Sequence, residues 1–335
     1  MLKGVKYNKI FILGAGFSKS VSTNNPTLRD LTNALILEKD KHLYYDLVQF
    51  VSALNEISNE SDEIMEIEKI ATVILSKRLF YNNDEKLLYD KLRHQLLGWI
   101  YNKIEENSPK VDENKKDLLT HFLDQSSFLN NSKDHASPSL LMTFNYDLLL
   151  ERLLFEFQHK DWTIDYIIRL NNYLNSYPSN IDLSSKKVLE YLKLHGSFNW
   201  FAVPGAQKID LSNVYLVSEN DPSRNLIHQS DIPVYIPMAF SKMQFLSGSL
   251  YNVIWNIAQS YLEEASEIYF IGYGFPQTDI DNLIFFLKFK SKIKDIVIFE
   301  PPESEKLRRL NKLFPDSNII NQDAFQYIVE NHLGK

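Results

Sequence analysis

The clearest pattern in the chain is a short, unbroken apolar run, Ile10-Phe11-Ile12-Leu13, that stops at Gly14. Consecutive apolar residues ended by glycine read as a strand buried on both faces, the kind found in parallel sheets. From Thr27 to Ser127 the period changes. Leu28, Leu31 and Leu35, then Leu43, Leu47, Phe50, Val51 and Leu54, recur at helical spacing. So do Ile64, Ile67, Ile70, Ala71 and Ile74, and later Leu88, Leu92, Leu96 and Ile100. Proline and glycine are nearly absent there, so the spacing predicts a bundle of several amphipathic helices. Asn107-Ser108-Pro109 and Asn130-Asn131-Ser132 are the expected loop breaks.

Strand-to-helix alternation resumes at Ser139. Residues 140–143 are predicted as strand and 147–157 as helix, with Leu149, Leu153 and Leu154 facing inward. A strand over 189–194 runs into His195. The stretch 199–237 is expected to be irregular, with short strands at 214–217 and 234–236. Helices over 245–265, 280–290, 303–313 and from Ala324 alternate with strands at 267–271, 295–299 and near Ile319. Such alternation implies a mostly parallel, doubly wound, Rossmann-like α/β sheet. The expected organisation is one domain formed by residues 1–29 and 137–335, with 30–136 as a large all-helical insertion after the first strand.

Composition narrows the functional classes. With 44% hydrophobic and 13% aromatic residues, a chain of 335 residues can build a sizeable core. A net charge of −7 argues against direct nucleic-acid binding as the main task, because a phosphate backbone is repelled on average. The absence of cysteine removes disulfides, thiolate catalysis and thiolate zinc sites, and no metal is expected. No apolar stretch approaches the roughly 20 residues that span a bilayer, and the apolar run after the basic N-terminus is too short for a signal peptide. No membrane partner and a cytoplasmic location are therefore expected.

Polar chemistry collects where predicted strands end. Gly14-Ala15-Gly16-Phe17-Ser18 follows the first strand, and its glycines permit a sharp turn and close approach of backbone N–H groups to a pyrophosphate. Lys19 stands where a dinucleotide fingerprint would have its third glycine, which argues against an ordinary dehydrogenase. A plain strand–turn–helix corner is the alternative. Thr143-Phe144-Asn145-Tyr146-Asp147 follows the second strand. The Asn145 amide can hold a ribose hydroxyl or fix a water, or serve only as a turn residue. Asp147 is equally suited to cap the next helix. His195 terminates its strand before Gly196, and an imidazole is a usable base near neutral pH. The other histidines, at 42, 94, 121, 135, 159, 228 and 332, read as packed or solvated. Near the C-terminus, Gly272-Tyr273-Gly274 ends one strand, with Thr278 and Asp279 as possible helix caps, and Glu300 stands at the tip of another. Glu300 fits either a ribose grip or a solvated loop.

Together these strings resemble the sirtuin-like (silent information regulator type) family of NAD-binding proteins. In that family a Gly-Ala-Gly-x-Ser loop opens the NAD site, an Asn-x-Asp element positions the nicotinamide ribose, and a His-Gly strand end supplies the catalytic histidine. The resemblance puts these roles on Gly14, Ala15, Gly16, Phe17 and Ser18, on Asn145 with Asp147, and on His195 with Gly196. Pro26-Thr27-Leu28-Arg29-Asp30 stands at the family's proline-containing cofactor loop, which adds Arg29. Gly272, Tyr273, Gly274 and Glu300 correspond loosely to its adenosine-side loops. The helical stretch 30–136 has no counterpart in the resemblance.

Protein-deacylating sirtuins carry a four-cysteine zinc module that this chain lacks, and Phe144 stands where they usually have glutamine. These departures are similar to the bacterial anti-phage defence branch, whose members hydrolyse NAD. The resemblance thus implies NAD+ as substrate, no metal, and cleavage of the nicotinamide–ribose bond to nicotinamide and ADP-ribose. His195 would be the general base and Asn145 the group that orients the water or ribose. Control would come from homo-oligomerisation or from a separate regulatory or sensor protein, such as a hexameric ATPase or an Argonaute-like protein. The helical insertion would be the contact surface or a lid. The alternatives are an NAD- or ADP-ribose-binding module without turnover, an NAD-dependent deacylase or ADP-ribosyltransferase, and an assembly protein with a vestigial pocket.

Overall fold

A computed structural model describes residues 7–26, 28–38, 43–58, 66–75, 83–106, 110–125, 128–130, 139–156, 162–168, 170–172, 187–202, 209–217, 232–236 and 249–332. Strand β1 (Lys9–Leu13) lies in the middle of the main sheet, between β3 (Ser139–Thr143) and β10 (Glu267–Ile271), parallel to both. Leu13 stands in register with Thr143 on one side and Ile271 on the other, so the three strands end level. Beyond β3 comes β6 (Lys187–Lys193), and beyond β10 come β11 (Ile293–Ile298) and β12 (Asn318–Asn321), all parallel to their neighbours. Two short strands complete this sheet at β6: β2 (Leu129–Asn130), antiparallel, and β4 (Trp162–Asp165), parallel. Apolar side chains on both faces of the central strands are buried, among them Ile10, Phe11, Ile12, Leu140, Leu141 and Met142. That is why these strands read as unbroken hydrophobic runs. The mostly parallel α/β sheet inferred from the sequence is the observed fold class.

Helix α1 (Ala15–Val21) follows β1. Among the described residues five helices then precede β2: α2 (Leu28–Ile36), α3 (Tyr45–Ser58), α4 (Ile67–Leu75), α5 (Asn83–Glu106) and α6 (Glu113–Gln125). Leu31, Leu35, Leu47, Val51, Ile67, Ile70, Ala71, Ile74, Leu92, Leu96 and Ile100 form a buried cluster, as their spacing predicted. Leu148, Phe198 and Tyr235 belong to the same cluster, so these helices share a core with later segments. Leu88 is exposed, contrary to its place in the predicted stripe, and Tyr89 is buried instead. A strict four-residue repeat drifts by about 40° per step on a helix of 3.6 residues per turn, which carries Leu88 off the buried face. Leu43 is exposed as well, just before α3. None of the described helices is long and apolar enough to cross a membrane.

The remaining helices among the described residues are α7 (Leu149–Glu156), α8 (Ser249–Glu264), α9 (Ile280–Leu287), α10 (Glu305–Leu313) and α11 (Ala324–His332). A second sheet was not foreseen. It runs in the order β5 (Asn171–Asn172), β8 (Val214–Leu216), β7 (Gly196–Ala202), β9 (Ile232–Tyr235). Strand β7 begins directly at Gly196 and runs into the stretch from 199 expected to be irregular, with Ser197 and Asn199 interrupting its apolar residues. Both are nevertheless buried, since every residue of β7 is enclosed. Asn130, expected in a loop, ends β2. Residues 131, 132 and 107–109 lie outside the described residues, as do His42, His135, His159 and His228.

Candidate active site

Residues at the C-terminal ends of five neighbouring parallel strands, β11, β10, β1, β3 and β6, line one cavity of about 530 Å³. At a strand spacing of about 4.8 Å this rim is roughly 19 Å long, and open α/β sheets hold ligands at such rims. Ala15 and Gly16 come from the β1 end, Asn145 and Asp147 from β3, His195 from β6, Gly272, Tyr273 and Gly274 from β10, and Glu300 from β11. Leu31 of α2, Glu68 of α4 and Ile104 of α5 add a wall from the helical stretch. Gly14, Phe17, Ser18 and Gly196 are not among its lining. The Arg29 side chain lies outside the described residues, although its backbone belongs to α2.

The glycines answer to one another before they answer to any ligand. Gly272 has φ +71°, and a Cβ there would stand 2.1 Å from the Phe17 nitrogen. A Cβ on Gly14 or Gly16 would lie 2.6 or 2.9 Å from the Gly272 carbonyl oxygen. The sequence suggested that the Gly14 and Gly16 N–H groups would face a phosphate. Instead, Gly14 donates to the Ile271 carbonyl at 3.0 Å and Gly16 to the Gly272 carbonyl at 2.9 Å. The turn is tight because two strand-end loops cross in contact. Gly196, with φ +80°, makes the reversal from β6 into β7 and packs against Val234. Phe17 is a core side chain.

Asn145 is held from several sides. Its N–H donates to Thr143 Oγ1 at 2.9 Å, and its Nδ2 donates to the Gly14 carbonyl at 2.9 Å and to Ser18 Oγ at 2.7 Å. Ser18 Oγ donates in turn to Asp147 Oδ2 at 2.7 Å. Asp147 Oδ1 accepts from the Leu149 N–H at 3.2 Å, so this carboxylate caps α7 and anchors Ser18 while lining the cavity. With both amide hydrogens taken, Oδ1 is the atom Asn145 has left for a ligand donor.

His195 is only 4% exposed. Its ring stands edge-on to Phe144, with centroids 4.9 Å apart, and Phe144 stacks on Tyr273 at 4.1 Å. Nε2 lies 3.3 Å from Asn282 Nδ2. The same nitrogen of Asn282 donates to Tyr273 Oη at 3.2 Å, and Tyr273 Oη donates to Asp279 Oδ2 at 2.7 Å. Burial, and then the neighbouring Asp279 charge, hold the Tyr273 phenol well above its ordinary pKa, so it remains a donor. Asp279, one of two possible caps of α9, makes no side-chain cap bond and takes the phenol instead. The Thr278 side chain lies outside the described residues.

At the β11 end Glu300 pairs with Lys306, and its backbone exchanges hydrogen bonds of 2.9 Å with the Asn321 side chain. Beside it Phe299 lies 78% exposed on the cavity rim, an apolar face that water does not favour. The described residues contain no cluster of three or more His, Asp or Glu side chains placed to hold a metal ion.

Against models of known families, residues 139–319, over half of the chain, match the SIR2-like domain. The chain belongs to the SIR2-like family. Similar solved structures include a Sir2 homologue in complex with NAD, 15% identical, covering 96% of this chain and 86% of that one with a TM-score of 0.45. A mutant Sir2 homologue in complex with ADP-ribose is 14% identical, covering 97% and 91%, with a TM-score of 0.45. A Sir2 bound to an acetylated peptide is 14% identical, covering 97% and 94%, with a TM-score of 0.39. No curated protein matches the chain.

The SIR2-like segment excludes β1, and pairing with β3 and β10 brings the Gly14–Ser18 turn to it. Besides the lining from the helical stretch, two buried polar residues that support the site from behind were not singled out by the sequence reading. Lys193 has no exposed surface, and its Nζ reaches the Asp147 carbonyl at 2.6 Å and Glu151 Oε1 at 2.9 Å. Its signal was visible, since a lysine in an otherwise apolar strand two residues before His195 needs a buried partner. Asn282 is 1% exposed on the inner face of α9 and had no such signal, because nothing local marks an asparagine as facing an imidazole 87 residues away.

Proposed function

We propose that this SIR2-like chain is an NAD+ glycohydrolase that cleaves the nicotinamide–ribose bond and releases nicotinamide and ADP-ribose. The observation that carries the reading is that Asn145 and His195, far apart in sequence, line one cavity. Five strand ends contribute residues to that cavity, along a sheet rim of roughly 19 Å that leaves room for two nucleotides end to end. Glycosyl transfer passes through an oxocarbenium-like state, and the protein's task is to hold the sugar, exclude water from most of the bond and place a single nucleophile. Asn145 Oδ1 accepts from a ribose hydroxyl or the attacking water. His195 takes the proton as general base. Phe144 and Ile236 line the cavity beside His195 and exclude bulk water. Ala15, Gly16 and Gly272–Gly274 form the floor on which the pyrophosphate rests, and Glu300 holds the far ribose.

The same proposal extends to the setting that the resemblance implies. NAD+ hydrolysis serves anti-phage defence in the cytoplasm, no metal takes part, and the nucleotide-binding domain comprises residues 1–29 and 137–335. The helical stretch 30–136 is the surface for a homo-oligomer or for a regulatory partner such as a hexameric ATPase or an Argonaute-like protein. The deciding measurement is nicotinamide release from NAD+ by the wild-type chain, Asn145→Ala and His195→Ala. Release by the wild type and a fall of about a hundredfold or more in each variant is expected. No release by the wild type would overturn the glycohydrolase reading, and an active wild type matched by both variants would overturn the roles given to Asn145 and His195.

A further inference from the structure

We propose that Asp279, Tyr273 and Asn282 form a polarised hydrogen-bond relay that fixes His195 as the tautomer with its proton on Nδ1 and Nε2 as the acceptor. This rests on reading His195 as the base, and it names what positions that base. The polarity follows from the far end. An ionised carboxylate only accepts, so the Tyr273 hydrogen goes to Asp279 Oδ2 at 2.7 Å. With its hydrogen committed, Tyr273 Oη accepts from Asn282 at 3.2 Å, which requires the NH2 side of that amide to face the phenol. The second hydrogen of the same NH2 then points at His195 Nε2, 3.3 Å away. An imidazole nitrogen facing a donor carries the lone pair.

The site leaves the relay little freedom to reverse. Asn282 and Asp279 are buried, and Tyr273 is clamped by the stacked Phe144 ring, which also braces His195. Flipping the Asn282 amide would aim its carbonyl at a phenol oxygen whose hydrogen is already given away. A donor at 3.3 Å is at the weak end of hydrogen bonding, so it orients the ring in the resting site, and general-base action requires a substrate hydroxyl to displace Asn282 from the Nε2 lone pair. Asn282 and Tyr273 are thus positioning residues that act through His195.

The test reads the tautomer directly. Imidazole 15N spectra of the wild type would be recorded, with the His195 signals assigned by their loss in His195→Gln. A Nδ1–H pattern is expected, with Nε2 unprotonated. In Asn282→Ala and in the milder Tyr273→Phe, which keeps the stacked ring, the Nε2–H form should rise. The kcat for nicotinamide release should fall by roughly tenfold to a hundredfold while KM for NAD+ stays within about twofold. A wild-type Nε2–H pattern, or His195 signals unchanged in Asn282→Ala, would overturn the relay. If the wild type shows the Nδ1–H pattern yet releases no nicotinamide, the relay stands and the glycohydrolase reading fails.

Discussion

Lys193 Nζ donates to the Asp147 backbone carbonyl at 2.6 Å from a side chain with no exposed surface. Two backbone bonds run alongside it, from Leu194 N–H to the Thr143 carbonyl at 2.8 Å and from Phe198 N–H to the Tyr146 carbonyl at 2.9 Å. The loop that carries Asn145 is therefore stitched to the turn that carries His195. Separation between the two groups is set by β3 and β6, not left to loop flexibility. Rigid placement of this kind is what a reaction with little covalent help from the protein requires.

Removing the lysine charge should be costly. Lys193→Met leaves Glu151 buried without its cation and the Asp147 carbonyl without its donor. Breaking one side of a buried pair costs about 3–5 kcal/mol. Adding Glu151→Gln should return part of that loss, because the neutral amide can still accept from Tyr166, which donates to Glu151 at 3.0 Å. Urea unfolding of the wild type, single and double variants measures this. Equal stabilities in the two variants would show that the pairing is not what matters.

Glycines offer a contrast within one chain. Gly272→Ala forces a Cβ to within 2.1 Å of the Phe17 nitrogen at a positive φ, so the β1 and β10 loops must separate. A loss above about 3 kcal/mol, or failure to fold, is expected. Gly98 lies inside α5, where a Cβ meets nothing within 4 Å. Gly98→Ala should stabilise by roughly 0.5–1 kcal/mol through helix propensity alone. Thermal unfolding of both checks the pair.

Much of this arrangement could be read in the sequence because parallel strands bury both faces and end in glycine or polar residues. The runs before Gly14, Asn145, His195 and Gly272 gave the sheet and named the residues on its rim. What stayed hidden had no local mark. Strand β7 was masked by Ser197 and Asn199, whose burial depends on the second sheet. The packing duty of Gly14 and Gly16, to admit the Gly272 loop, is a contact between residues more than 250 positions apart, and a glycine pair looks the same whether it receives a phosphate or a carbonyl.

His332, at the end of α11, is expected to make folding sensitive to acid. Its ring packs against Phe11, Phe122, Tyr269 and Tyr327, and its Nε2 lies 3.4 Å from Tyr327 Oη, which is itself bonded to Asp295. Burial first, and then the Lys9 charge, push the imidazole pKa below its ordinary 6.5, with Asp295 opposing. The folded chain thus binds this proton more weakly than the unfolded chain. Stability from the neutral ring is present above about 6.5 and is lost as pH falls from there through the lowered folded value. His332→Phe keeps an aromatic ring among aromatic neighbours and removes the titration. Between pH of about 7.5 and about 5, Tm of the wild type should fall more steeply than that of His332→Phe. Parallel curves would mean that the proton on His332 is not linked to folding, and that α11 is held by its other contacts with the sheet.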